Sequence, residues 1–387
     1  MKVTNARIYL VNGQGLRPVI LELTTDSGHT GLGEAAIAYG IGNTAAAAMV
    51  KDVCEQFVLG CNPFQIERIC STIYDQSFWA KNGGPIVNAA LSAVEQALWD
   101  IKGRALGVPV YDLLGGSVRD SLETYANGWY FGCRSNSELF SAANATVADG
   151  YTALKMYPLA TIQPNGTLRH PARRGTDEPN ALRAAVEVVR GVRKAVGPDV
   201  RLMLDLSGGY SIGDTIHFCR EVEQFDISYV EEPLDPCDVR GLQQLASQTT
   251  LPIAVGERLY GRTGFRDLLE TRTVSIIQPD IGNTGGLSEA RKIAAMGEAY
   301  CLKVQPHVCG SSLAAAVAMH FSAGIPNFYI QEHFPYWGRV PGYIEVAENP
   351  IERTVKDGRM PVLDEPGFGV QLQRDALESS VWATVEL

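Results

Sequence analysis

Nothing in this 387-residue sequence pairs cysteines as C-x-x-C; its eight cysteines, at 54, 61, 70, 133, 219, 237, 301 and 309, are scattered. That favours reduced thiols over a disulfide framework or structural zinc. No apolar run is long enough to span a bilayer. The N-terminal MKVTNARIYLV lacks the charged, apolar and small-residue order of a signal peptide. A cytoplasmic protein with no membrane partner is expected. Positive charge is also short: 33 Lys and Arg face 43 Asp and Glu, a net charge of -10. Nucleic acid is therefore excluded as a partner, whereas an anionic small molecule is not, because a local metal outweighs the average field. Short repeats and low-complexity tracts are absent.

What is present is regular spacing. Asp205, Glu231 and Glu257 stand 26 residues apart, each closing a short apolar run (RLMLD, ISYVE, PIAVGE). Asp280 (SIIQPD), His307 (LKVQPH) and Glu332 (FYIQE) continue the beat, with amphipathic helical patterns between. Such a repeat is one strand, loop and helix, and a run of them predicts a parallel barrel with its chemistry at the carboxyl ends of the strands. Barrel strands are expected near 122–126, 152–157, 201–205, 228–231, 252–257, 274–278, 301–305 and 328–331. Upstream, residues 2–34 alternate as antiparallel strands around an Asp26-Ser27-Gly28 turn. Helical periodicity follows at 43–58, 63–77 and 85–105, the signature of a separate α+β module. The chain thus divides into 1–118, completed by 350–387 through a strand-like GVQLQ, and a barrel over 119–349. A Pro-, Gly- and Arg-rich insertion at 158–177 reads as a lid or subunit contact.

Three carboxylates at successive strand ends suit a hard divalent cation, which prefers oxygen ligands converging from different elements. Taken singly, each is as readily a helix cap or loop charge; three with matched lead-ins are not. Lys155 and Tyr157 end the second strand as LKMY, on one face. They read either as a base with a lowered ammonium pKa and a phenolic proton donor, or as a structural lysine paired to a ring carboxylate. His307 and Asp280 come from neighbouring strands, and a carboxylate on one imidazole nitrogen leaves the other for proton transfer. Glu332 either donates to a developing enolate or holds a cation in place. Glu232 reads as support for its neighbour Glu231 or as a partner for a nearby base.

ALSAVEQALWDIKGRALGVPVYDLLGG, the LD, EEP and GE strand ends, QPDIGNTGGLSEARKIA, QPH and the terminal PGFGVQL together make the chain similar to the enolase superfamily. Within it, the chain resembles the mandelate racemase-like branch of sugar-acid dehydratases over nearly its whole length. The resemblance implies an α/β fold, a modified (β/α)8, that is (β/α)7β, TIM barrel under an N-terminal α+β capping domain. It also implies Mg²⁺ on Asp205, Glu231 and Glu257, and abstraction of the proton α to a carboxylate.

Two positions depart from that pattern: Ser207 stands where many of these dehydratases carry an acidic His, and the second-strand K-x-K is Lys155-x-Tyr157. The expectation is dehydration of an aldonic or aldaric acid to a 2-keto-3-deoxy acid, with Lys155, Tyr157, Asp280, His307 and Glu332 catalytic. Tyr39, Trp79, Lys81, Asn82 and Ser207 are expected at the substrate, beside Phe78 in the same capping loop. Arg169, His170, Arg173 and Arg174 read mainly as solvated loop charges. The rivals are a racemase or epimerase on the same scaffold and a non-catalytic sugar-acid binder. A homo-oligomer is expected.

Overall fold

The computed structural model describes residues 1–11, 15–78, 81, 83–162, 168–169 and 179–387. Strands β1 (Val3–Leu10), β2 (Val19–Thr25) and β3 (Thr30–Ala35) form an antiparallel sheet turned at Gly28, whose φ is 82°. Helices α1 (Asn43–Val53), α2 (Ile66–Gln76) and α3 (Gly84–Leu106) follow. Pro85 lies in the first turn of α3, where a missing N–H costs nothing, and left-handed Gly107 ends it. β3 lies directly on α3: a Cβ at Gly33 would stand 1.9 Å from the Ala93 carbonyl oxygen. Only glycine permits that approach.

The second sheet is parallel and closes on itself. Its strands are β4 (Ser121–Ala126), β5 (Ala153–Met156), β8 (Arg201–Asp205), β9 (Ile227–Glu231), β10 (Ile253–Val255), β11 (Ile276–Ile277), β12 (Lys303–Val304) and β13 (Gln331–His333). They run in the order β12-β11-β10-β9-β8-β5-β4-β13, and a parallel bridge from Val304 to Phe328 joins the ends. A two-stranded ribbon, β6 (Thr161–Ile162) with β7 (Leu168–Arg169), interrupts the second unit. A helix follows each of the first seven barrel strands, from Asn136–Ala148 to Ser312–Ala323, and the eighth runs instead into a short 3-10 turn at Trp337–Arg339. This is the (β/α)7β form expected. The chain then adds β14 (Arg359–Pro361) antiparallel to β4 and finishes as β15 (Val381–Glu386), paired antiparallel with β1.

That return differs in one respect from expectation. GVQLQ is not a strand; it makes a single bridge, Ala347 to Leu372, and buries Val370 and Leu372, with Phe368 just before it, in the barrel's outer core. Burial without a pairing edge gives the same apolar alternation as a strand. The strand that rejoins the first sheet is the one after it, β15.

Inside the barrel, Tyr125, Ala153, Met203, Tyr229, Ala254, Ile276 and Ile330 make one apolar layer. Side chains alternate along a strand, so the next inward position is two residues on. Those positions are Asn127, Lys155, Asp205, Glu231, Gln278 and Glu332. Only β10 slips: position 256 is glycine, where a Cβ would meet the Gln278 nitrogen at 2.7 Å, and Glu257 follows it. The apolar layer is thus a floor with a polar ring directly above.

Candidate active site

Asp205, Glu231 and Glu257 meet at the carboxyl ends of β8, β9 and β10. One oxygen from each lies within 4.8 Å of the other two. Asp205 and Glu231 are buried and Glu257 half-buried. Burial, then repulsion by Glu231, pushes the Asp205 carboxyl up to about 7; burial, then Glu232, pushes Glu257 up to about 8. Glu231 is likewise raised, chiefly by burial. Three converging, desolvated carboxylates with uncompensated negative charge fit a hard divalent cation. Ser207 donates to Asp205 Oδ1 through both its N–H (2.8 Å) and its hydroxyl (3.0 Å). It therefore orients a ring carboxylate. Ser207 (φ 47°) and Glu232 (φ 38°) hold left-handed backbone beside this cluster, a strain typical of functional sites.

Lys155 is fully enclosed. Its Nζ donates to Glu231 at 2.8 and 2.9 Å and lies 3.2 Å from Glu332 Oε1. Burial alone would depress the ammonium pKa, but Glu231 and Glu332 lift it well above the ordinary lysine value. Of the two readings, a base with a lowered ammonium pKa and a structural lysine paired to a ring carboxylate, the contacts favour the second: Lys155 is held as a cation between two carboxylates. That also resolves Glu332. Burial would raise its carboxyl, yet Lys155, His307, the Val308 N–H (2.8 Å) and the Asn127 amide (2.7 Å) hold it below the ordinary value. Glu332 is an ionised anchor for Lys155.

Asp280 and His307 bridge at the next level up, two residues beyond Gln278 and Gln305. His307 Nδ1 is 2.7 Å from Asp280 Oδ2, and Nε2 is 3.4 Å from Glu257 Oε2. The dyad thus abuts the carboxylate cluster. Burial opposes the imidazolium, but Glu257, the Asp280 hydrogen bond and Glu332 raise the pKa well above its usual value. Tyr157 lies with its ring edge-on to Tyr130 (6.0 Å), and burial, then Asp205, pushes its phenol well up, so it keeps its proton.

Below the cluster, the Gln278 amide donates to Glu231 Oε2 (2.7 Å) and to Gln305, which also accepts from the Tyr229 hydroxyl (3.0 Å). Glu232 turns outward to Arg258 (Nε to Oε2 2.7 Å). Asn127 and Gln278 were not singled out from sequence, although the two-residue step from the apolar layer marks both. Tyr39 and Lys81 are exposed on the cap; Trp79, Asn82, His170, Arg173 and Arg174 lie outside the described residues.

Residues 138–376 match the enolase C-terminal domain-like family, and 10–115 match the mandelate racemase/muconate lactonizing enzyme N-terminal domain. The chain belongs to the enolase superfamily. Among curated relatives, D-galactonate dehydratases of Verminephrobacter eiseniae and Pectobacterium atrosepticum are each 33% identical over 377 residues. These alignments cover 96% and 97% of this chain and 92% and 93% of theirs. A solved structure from Mesorhizobium loti, provisionally named a dehydratase, is 48% identical with a TM-score of 0.94 and full coverage of both chains. The 3,6-anhydro-D-galactonate cycloisomerase of Zobellia galactanivorans is 31% identical with a TM-score of 0.82, covering 99% of this chain and all of its own. These relationships make the chain an enzyme of hydro-lyase kind within the superfamily, with a carboxylate cluster of the type that holds a divalent metal. Among the described residues no helix is long and apolar enough to cross a membrane.

Proposed function

We propose that this enzyme dehydrates an aldonic or aldaric acid to its 2-keto-3-deoxy acid with Mg²⁺ as cofactor. The observation that carries the reading is the contact between the His307–Asp280 dyad and the three-carboxylate cluster. Asp205, Glu231 and Glu257 would hold the ion. Bound there, Mg²⁺ supplies positive charge against the three carboxylates and against the charge that builds on the substrate's own carboxylate.

Asp280 accepts from Nδ1–H and fixes the ring; a cation held by Glu257 would offset the charge that favours the imidazolium, leaving Nε2, which faces the cluster, free to act as the base. Nε2 takes the α-proton as the C–H bond breaks and its electron pair moves into the carboxylate, giving an ene-diolate. Collapse of that species breaks the β C–O bond, and the departing hydroxide leaves as water with a proton. Ser207 cannot donate that proton near neutral pH. The imidazolium formed at Nε2 is assigned as donor, which returns the base to its starting state, while Tyr157 keeps its proton and Lys155 stays charged throughout as electrostatic support. The resulting enol tautomerises to the keto acid. We place the enzyme in the cytoplasm as a homo-oligomer.

His307→Asn should lower turnover by roughly 10²–10⁴-fold, the usual worth of a general base. Exchange of the α-hydrogen in D₂O should fall equally, with Mg²⁺ binding by calorimetry retained. Undiminished 2-keto acid formation would remove His307 from the reaction. The cycloisomerase relative favours a second reading, an isomerase using the same α-proton. Product analysis over a panel of aldonic and aldaric acids separates the two, since dehydration releases water and lowers the mass of the acid, whereas isomerisation leaves the mass unchanged.

A further inference from the structure

The groups proposed for proton transfer sit on loops that the capping domain grips, and one chain of buried hydrogen bonds joins the two loops through the cap. The Ser311 N–H, four residues beyond His307, donates to Glu34 Oε1 at 2.9 Å, and the Ser311 hydroxyl donates to Glu34 Oε2. Glu34 lies in β3. Its own N–H donates to Gln96 Oε1 on α3 at 2.9 Å, and Gln96 Nε2 donates to the carbonyl of Ile281, the residue after Asp280, at 3.2 Å. Glu34 and Gln96 are essentially fully buried.

Both loops are shaped for this approach. A Cβ at Gly310 would lie 2.6 Å from Glu34 Oε1, and one at Gly282 would lie 2.5 Å from the Ala36 Cβ. The Ala36 N–H also donates to the Gly282 carbonyl at 2.9 Å, while the Gly282 N–H donates to Asp280 Oδ1 at 2.7 Å.

We infer that Glu34 and Gln96 form a bracket that sets the spacing of His307 and Asp280, so that capping-domain residues with no reach to substrate act as positioning residues for proton transfer. The inference rests on the proposed role of the dyad. A base must sit within hydrogen-bond reach of the proton it takes, and a displacement of about 1 Å at a reacting group costs up to about 10²-fold in rate. The bracket fixes one loop at each end. The three ring carboxylates sit on other strands, so metal binding should be indifferent to it.

The test is Gln96→Met, which keeps the shape but cannot accept from Glu34 or donate to Ile281, measured in the full-length enzyme with Mg²⁺. The expected result is kcat lowered about tenfold or more, with KM and the Mg²⁺ dependence changed less than about twofold. Asp100→Asn is the control. Asp100 is an equally buried α3 carboxylate, accepting from the Leu32 and Phe368 N–H groups and from Arg104, and touches neither loop. It should lower Tm and spare kcat. Ser311→Ala, at the far end of the bracket, should repeat the kcat loss and replaces Gln96→Met if that variant does not fold. Unchanged kcat in the bracket variants overturns the inference, as does an equal kcat loss in Asp100→Asn at matched Tm. His307→Asn with full turnover brings down the dyad reading and this inference together. Inactive His307→Asn beside unimpaired bracket variants brings down this inference alone.

Discussion

The two halves of the barrel mouth keep buried carboxylates by different means. Around β8 to β10, negative charge is answered by charge: Lys155 sits between Glu231 and Glu332, and Arg258 pairs with Glu232. Around the loops after β11 and β12, it is answered by backbone and hydroxyl groups at helix N-termini. Glu95 accepts from the Leu287 N–H (2.8 Å) and from Ser288 N–H (2.9 Å) and hydroxyl (2.6 Å), at the start of Leu287–Ala299. Glu34 takes the Ser311 donors, and Glu352 the Ser312 hydroxyl (2.8 Å), at the start of Ser312–Ala323. Helix starts carry unsatisfied donors and a partial positive charge, so an acidic side chain is at home there. The first half is arranged to accept a cation. The second is arranged to stay where the cap puts it.

The largest effect should come from removing the internal cation. Lys155→Met leaves Glu231 and Glu332 buried without their partner, and breaking a buried pair from one side costs about 3–5 kcal/mol. Urea denaturation in the presence of a chelator should show that loss, and saturating Mg²⁺ should restore a substantial part of it. A loss that is the same with and without Mg²⁺ would mean that the cluster does not treat Lys155 and a divalent ion as interchangeable compensation. The distinction between the halves would then fail.

The first half was legible in the sequence and the second largely was not, for a physical reason. Ring residues are set by strand periodicity: once RLMLD, ISYVE and PIAVGE are strands, Asp205, Glu231 and Glu257 must point to one mouth. Asn127 and Gln278 follow from the same step, counted from Tyr125 and Ile276. The bracket has no such rule, because Glu34 meets Ser311 across 277 residues and its partner is decided by how two modules dock. A trace of it existed in α3. Ser92, Glu95, Gln96 and Asp100 recur at helical spacing inside a mostly apolar helix, and all four are buried. A polar stripe on a buried helix face announces a hydrogen-bonded neighbour without naming it. Lys155 shows the converse limit. Its position was readable, but whether it is neutral or charged depends on two carboxylates from distant strands.

A smaller effect should come from pH. Burial raises Glu352 from the usual carboxylate range to about 7, with no cation strong enough to reverse it. The folded protein then holds this proton more tightly than the unfolded chain, so between about 4.5 and about 7 the unfolded state binds fewer protons and stability falls as pH rises. The full swing from one such group is on the order of 3 kcal/mol. Glu352→Gln should shrink the fall in Tm between pH 5 and 8; Glu34, raised to about 7 chiefly by burial, should leave a residual slope. A slope unchanged by the substitution would show Glu352 ionised throughout. The second half would then share the first half's reliance on charge.

The smallest effect separates two uses of Ser207. Its hydroxyl and N–H converge on Asp205 Oδ1, which makes it a support for a ring carboxylate, and the backbone donor survives Ser207→Ala. Loss of one supporting hydrogen bond should weaken Mg²⁺ binding by about tenfold, the lower range for such outer partners. Turnover at saturating Mg²⁺ should stay within about twofold. Titrating activity against Mg²⁺ at fixed substrate reads both quantities at once. A turnover loss of about 10²-fold that saturating Mg²⁺ does not repair would place the hydroxyl in the proton path and displace His307 as donor. Retention of turnover leaves Ser207 as a residue that aims a ligand and no more, so the missing histidine is made good elsewhere in the ring.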